Sequence, residues 1–302
     1  MKKTSLLKKL ILDKEILVMP GAHDPLSAKI IELVGFKALI LGGYSATASR
    51  LGKPDVSFLT MTEMADCLRN ISDVVDIPVF ADGDTGYGNV TNVRHTVRAF
   101  EKAGVAALFI EDQVFPKRCG HMEGKQIIPT LDMVAKIKAA VDARVDEDLV
   151  IMARTDAVAT DSLNEAIERA NIYREAGADL ILVEAVTSVE QMKRTNESIN
   201  APTMANMVEG GKTPILTVKE LQGVGYSVVC VPNATVYATA WALRGLWSEL
   251  KKEGTTRNWI DRMICFDDFN KLVGLDKVRE RESHYYKDLF ESLGKKLNRE
   301  RR

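Results

Sequence analysis

The sequence predicts an α/β protein, a (β/α)₈ TIM barrel with helices appended at its C-terminal end. Three observations carry the prediction. Eight short apolar runs alternate with helical patterns along the chain, and each run is continuously apolar rather than alternating. Strands of that kind belong to parallel sheets covered on both faces. Glycines follow successive helices at Gly35, Gly104, Gly177 and Gly225, repeating one helix-to-strand turn around a ring. A length of 302 residues suits a single barrel of this type.

Taken in order, Lys3 to Leu12 forms a leading helix, and Ile16 to Met19 a first strand ending at Pro20-Gly21. Asp24 caps a helix through Leu33, which Gly35 closes. Ala38 to Leu41 is the second strand, broken by Gly42-Gly43 and followed by a polar loop. Thr60-Met61-Thr62-Glu63 has capping-box spacing at the start of the next helix. Val79 to Ala81 is the third strand, before Asp82-Gly83-Asp84. A helix from Thr91 to Lys102 leads to the fourth, Ala106 to Ile110. The helix from Pro129 to Val141 precedes the fifth strand, Leu149 to Ala153. Leu163 to Glu175 is helical, Leu180 to Val183 the sixth strand, and Thr203 to Asn206 the seventh, after a helix from Ser188. Val218 to Gln222 is a short helix, Ser227 to Val231 the eighth strand, and Ala234 to Lys252 a long final helix. The whole chain, 1–302, reads as one domain. The barrel spans about 15–252, and a charged helical appendage at about 255–302 packs on it or on a neighbouring subunit.

Composition narrows the class. Hydrophobic content of 46% and charged content of 27% are those of a globular protein with a sizeable core. A net charge of -1 provides no drive toward nucleic acid or an anionic membrane, and the basic run at 299–302 reads as a solvated terminus. The apolar start of the chain is interrupted by Lys8-Lys9 and Asp13-Lys14-Glu15, so no signal peptide is expected. No apolar stretch approaches the ~20 residues of a membrane span. Cys67, Cys119, Cys230 and Cys265 lack metal-ligand spacing, and free thiols favour a reducing, cytoplasmic setting.

In such barrels the chemistry collects at the C-terminal ends of the strands. Those ends hold Gly42-Gly43, Asp82, Asp84, Glu111, Arg154, Glu184, Asn206 and Asn233. Any one of these acids alone could be an exposed loop residue. Four carboxylates on consecutive strand tails are a site, and they demand a positive charge among them. Asp82, Asp84 and Glu111 suit a hard divalent ion such as Mg²⁺. Arg154 can bridge a carboxylate of the site or fork onto one of a substrate. Lys117-Arg118-Cys119-Gly120-His121, just beyond the fourth strand, crowds two cations, a thiol and an imidazole into one reactive loop.

With these pieces assembled, the chain resembles the isocitrate lyase/phosphoenolpyruvate mutase superfamily over nearly its whole length. The resemblance rests on Pro20-Gly21-Ala22-His23-Asp24, Pro54-Asp55, Asp82-Gly83-Asp84-Thr85-Gly86-Tyr87-Gly88, Glu111-Asp112 and the thiol loop. Ala153-Arg154-Thr155-Asp156 and Asn206-Met207-Val208-Glu209-Gly210-Gly211 complete it. It implies a barrel whose late helix is exchanged within a homodimer or homotetramer, acting on a small dicarboxylate. It also implies Mg²⁺, with Mn²⁺ as a substitute, at Asp82 and Asp84, with Asp55 and Glu111 ordering the waters. Gly42, Gly43, Tyr44, Arg154, Glu184, Asn206, Asn233 and Leu182 fall at substrate positions.

The cysteine in the loop places the resemblance with the carbon–carbon lyases. Gly42-Gly43-Tyr44, Leu182 and Met207-Val208-Glu209-Gly210 bring it nearer to 2,3-dimethylmalate lyases than to methylisocitrate lyases. The expected reaction releases pyruvate and a short carboxylate. In it Lys117, Arg118 and His121 stabilise the leaving fragment, and Cys119, its pKa lowered by neighbouring cations, protonates carbon. Tyr44 and Arg154 complete the expected catalytic set. The competing readings are an oxaloacetate hydrolase, a phosphonopyruvate- or carboxyphosphonoenolpyruvate-processing enzyme, and a barrel that only binds a metabolite.

Overall fold

The structure, a computed structural model, describes residues 1–300, with side chains through residue 293; the basic run at 299–302 lies outside the described side chains. By contacts the chain divides into two compact units, Met1–Thr239 and Ala240–Arg302.

The first unit holds eight strands: β1 (Leu17–Pro20), β2 (Leu39–Leu41), β3 (Val79–Asp82), β4 (Ala107–Glu111), β5 (Val150–Thr155), β6 (Leu180–Val183), β7 (Met204–Asn206) and β8 (Val228–Val231). All pair in parallel, as β2-β3-β4-β5-β6 and β1-β8-β7. Parallel bridges between Gly21 and Ile40 and between Ile181 and Thr203 join the two groups at both edges. The ring is therefore closed. Only glycine fits at Gly21, where a Cβ would lie 1.9 Å from the Pro232 carbonyl oxygen.

Side chains alternate across a strand, so each strand feeds two layers. Met19, Ile40, Phe80, Phe109, Met152, Leu182, Met204 and Cys230 fill one cluster, the barrel interior. Leu7 and Ile11 of the leading helix Lys3–Ile11 join the same cluster. The other cluster lies between strands and helices. The interior parity matters for function. One step of two residues beyond Ile40, Phe80, Phe109, Met152, Leu182 and Met204 come Gly42, Asp82, Glu111, Arg154, Glu184 and Asn206. The predicted site is thus the next inward layer of the same strands.

The helices start where their caps allow. Asp24 and Thr60 both form capping boxes, and Gly35 closes its helix at φ 100°. One expectation fails. The segment after Gly42-Gly43 is a helix, Gly43–Leu51, rather than a polar loop. Its hydroxyl-rich sequence has modest helix propensity, but burial of Ser45, Ala46 and Thr47 stabilises it. In the second unit, a 3₁₀ turn at Arg257–Arg262 and helices Phe266–Leu272 and Leu275–Glu300 follow the end of the helix Ala234–Glu253. There the Trp259 ring packs so closely over Gly245 that a Cβ would meet it at 2.8 Å. Among the described residues, no helix is long and apolar enough to cross a membrane.

Candidate active site

The mouth of the barrel gathers most of the predicted residues around one cavity. Gly42, Gly43, Tyr44, Asp55, Asp82, Lys117, Cys119, His121, Arg154, Leu182, Asn206 and Asn233 all line it. Asp84, Glu111 and Glu184 are buried immediately behind those residues, in contact with Lys117, Arg154 and Asn206. Arg118 is not brought in. It is exposed, and its guanidinium donates to the Glu123 carbonyl at 3.1 Å. Adjacent residues of an extended loop point to opposite sides, so Lys117 and Arg118 do not share a target.

The positive charge that the carboxylates demand is Lys117. Its Nζ lies 2.8 Å from Asp55 Oδ2 and 2.7 Å from Asp84 Oδ1, with the side chain only 3% exposed. Burial pulls its pKa down, but the carboxylates of Asp84, Asp55, Glu111 and Asp82 outweigh this and hold it well above the usual lysine range. It is therefore a counter-ion of the acids at the cavity wall.

Asp82 is held by backbone. Its Oδ2 accepts from Gly43 N–H at 2.7 Å and its Oδ1 from Asp84 N–H at 2.9 Å. The first of these is the N-terminus of the helix Gly43–Leu51, where a carboxylate is favoured. The Gly43 N–H is thus engaged by Asp82, while Gly43 itself lines the cavity. Tyr44, one residue on, packs edge-on against Tyr237 at 5.9 Å between ring centroids.

Arg154 forks onto Asp156, with Nε to Oδ2 at 3.0 Å and Nη2 to Oδ1 at 3.1 Å. Its Nη1 faces Glu111 and Glu184 at 3.3 and 3.4 Å. Glu184 accepts from Asn206 at 2.9 Å and lies 3.3 Å from His121 Nε2. His121 Nδ1 accepts from Lys212 N–H at 3.1 Å, which leaves the proton on Nε2, toward Glu184. Burial lowers the His121 pKa despite Glu184, which favours the neutral ring, and Nε2 makes no hydrogen bond to Glu184 at this distance. Asn233 is fixed beside Ser45, whose hydroxyl donates to the Pro232 carbonyl at 2.9 Å.

Cys119 reverses another expectation. Its thiol pKa is raised, because burial outweighs the lowering by the His121 backbone N–H, Arg154 and Lys117. Of the cations that were expected to favour thiolate, Lys117 is paired with carboxylates and Arg118 turns away to the Glu123 carbonyl.

The donor set fits a hard divalent cation. Asp55, Asp82, Asp84 and Glu111 present only oxygen, and neither Glu111 oxygen has a hydrogen-bond donor although both are buried. Burial holds the Glu111 carboxyl well above its ordinary pKa, which Arg154 and Lys117 only partly offset. A hydrated cation would supply the missing partners. Among the described residues, no three histidine, cysteine or acidic groups converge as direct ligands. Mg²⁺ takes one or two carboxylates and keeps several waters, so it needs no such cage.

Sequence reasoning missed the apolar part of the cavity: Ile40, Phe109, Met204 and Cys230. They are the interior layer just below the polar one, and strand parity was the available signal. It also missed Gln113, whose amide accepts from Arg118 N–H at 3.1 Å and donates to Arg118 C=O at 2.9 Å, pinning the start of the loop.

Fold and site together define a barrel enzyme for a small organic anion. The chain belongs to the phosphoenolpyruvate phosphomutase family, which matches residues 7–251. It is 50% identical to the 2,3-dimethylmalate lyase of Eubacterium barkeri over 279 residues, 92% of this chain and 96% of that one. The crystal structure of a 2,3-dimethylmalate lyase in the trigonal form superposes with a TM-score of 0.90 at 33% identity, covering 94% of this chain and 96% of that one. A phosphonopyruvate hydrolase in complex with oxalate and Mg²⁺ superposes with a TM-score of 0.86 at 29% identity, covering 95% of this chain and all of that one.

Proposed function

We propose that this protein is a carbon–carbon lyase that cleaves a small 2-hydroxy-2-alkyl dicarboxylate of the 2,3-dimethylmalate type to pyruvate and propionate. One observation carries the reading: a largely buried thiol with a raised pKa borders a cavity that is apolar on one side and ionic on the other.

In the cleavage direction the substrate hydroxyl gives its proton to solvent, and its carbon becomes the ketone of pyruvate. The C2–C3 bond breaks and leaves its electron pair on C3. Cys119, protonated at neutral pH, gives its proton to that carbon, and the thiolate takes another from solvent. Arg154 and the neutral His121 Nε2–H stabilise negative charge on the departing carboxylate, an interaction strongest in the transition state. Ile40, Phe109, Leu182 and Met204 accommodate the alkyl groups and keep water away. Mg²⁺ or Mn²⁺, held through Asp82 and Asp84 with Asp55 and Glu111 ordering its waters, would polarise the hydroxyl and carboxylate oxygens of the substrate.

Purified protein with Mg²⁺ is expected to form pyruvate and propionate in equal amounts from 2,3-dimethylmalate. 2-Methylisocitrate should be a poorer substrate. Oxalate released from oxaloacetate at a higher kcat/KM would instead establish a hydrolase, and pyruvate from neither alkylmalate would reject the reading.

Metal binding should depend on acidity. Burial raises the Asp84 carboxyl to a pKa of about 6, with Lys117 opposing and Asp82 and Asp55 reinforcing the shift. Proton and cation compete for this group, so Mg²⁺ affinity falls as pH drops through that value. The loss approaches about tenfold per pH unit below it. Titration calorimetry with Mg²⁺ at pH 5, 6 and 7.5 measures this directly; equal affinities would remove Asp84 from the cation site.

Self-association as a homodimer or homotetramer belongs to the same proposal. It is supported by the exposed Trp241, Trp247, Phe266 and Phe290 of the second unit. Four free cysteines support a reducing cytoplasm.

A further inference from the structure

Lys125 lies at the far end of the loop that carries Cys119, and the chemistry above does not use it. Its side chain is only 2% exposed. Its Nζ donates to Asp156 Oδ1 at 2.8 Å and to the carbonyl of Gly120, one residue from the reactive thiol. The same Asp156 carboxylate holds Arg154 through both of its oxygens. Asp156 itself is anchored, because its backbone N–H donates to Asp112 Oδ1 at 2.9 Å. Gly120 presses directly on this assembly: a Cβ there would fall 2.2 Å from Arg154 Nη2. One buried carboxylate therefore connects the loop and the arginine.

We infer that Lys125 is a positioning residue that latches the 117–125 loop over the cavity through Gly120 and sets the Arg154 guanidinium through Asp156. An ammonium on a flexible stem suits the task, since it can satisfy a carbonyl and a carboxylate at once. Without it the Gly120 carbonyl loses a buried donor, and Arg154 alone must offset Asp156, Glu111 and Glu184. The loop then opens more often, and the guanidinium is pulled toward its remaining carboxylates. This geometry does not depend on which acid the cavity takes.

The test is alkylation by iodoacetamide without substrate, followed residue by residue by peptide mass mapping, so its outcome is independent of the proposed reaction. In Lys125→Met, Cys119 should react roughly tenfold faster or more, as expected when a charge-assisted hydrogen bond no longer opposes opening. Cys67 and Cys230 should keep their rates. Lys125→Arg should return Cys119 toward the wild-type rate. With substrate, Lys125→Met should raise KM and lower kcat together, and Lys125→Arg should restore both. An unchanged Cys119 rate in Lys125→Met overturns the inference. So does a parallel rise at all three cysteines, which marks general loosening. Should the methionine protein not fold, Lys125→Gln replaces it: the shorter amide cannot span both acceptors, and wild-type Cys119 reactivity there is equally fatal.

Discussion

Cys119→Ser is expected to lower kcat by about 10²–10⁴, the range attributed to a positioned general acid. Serine keeps the shape of the side chain but holds its proton far more tightly, and the same burial that raises the thiol pKa raises that of a hydroxyl further. Substrate binding rests on Arg154 and on the apolar wall, so KM should change little. The measurement is steady-state pyruvate release together with deuterium incorporation at C2 of propionate in D₂O. Near-normal turnover in Cys119→Ser, with stereospecific deuteration intact, would sink the general-acid role and move it to another group at the cavity.

Lys117→Met is expected to destabilise the metal-free protein by about 3–5 kcal/mol, the usual cost of removing one partner from a buried ion pair. Two carboxylates, Asp55 and Asp84, lose a cation that sits within 2.8 Å of both. The loss should depend on pH in a defined direction. Asp84 titrates at about 6 in the intact fold, and its carboxyl is neutral below that value. Removing Lys117 raises that pKa further, so the variant loses less at pH 5 than at pH 8. Mg²⁺ should recover part of the deficit at pH 8, because it binds only the folded state. Urea unfolding at both pH values, with and without Mg²⁺, measures all three effects. A variant as stable as wild type at pH 8 without metal would mean that the carboxylates do not depend on Lys117.

The barrel was legible because continuous apolar runs of four or five residues suit buried parallel strands and little else at that length, and glycines after helices repeat around the ring. The site was legible because side chains alternate along each strand, so the last inward residue follows from the inward apolar ones before it. Asp82, Glu111, Arg154, Glu184 and Asn206 could therefore be read from strand ends alone. The helix Gly43–Leu51 was not legible, since its stability comes from burial of small residues against the barrel rather than from propensity. Arg118 illustrates a second limit. A loop has no periodicity from which to infer side-chain direction, and only its contact with the Glu123 carbonyl shows that it turns outward.

By itself, the sequence determined which groups this protein owns and the layer in which most of them meet, because strand parity converts position directly into direction. Tertiary structure decided what charge and proton each group carries. Lys117 neutralises acids at the cavity wall, burial favours the neutral His121 ring, and Cys119 keeps its proton. The physical reason is that a pKa depends on burial and on partners distant in sequence. Neighbours along the chain, such as Lys117 near Cys119, are poor guides once carboxylates from elsewhere have claimed them.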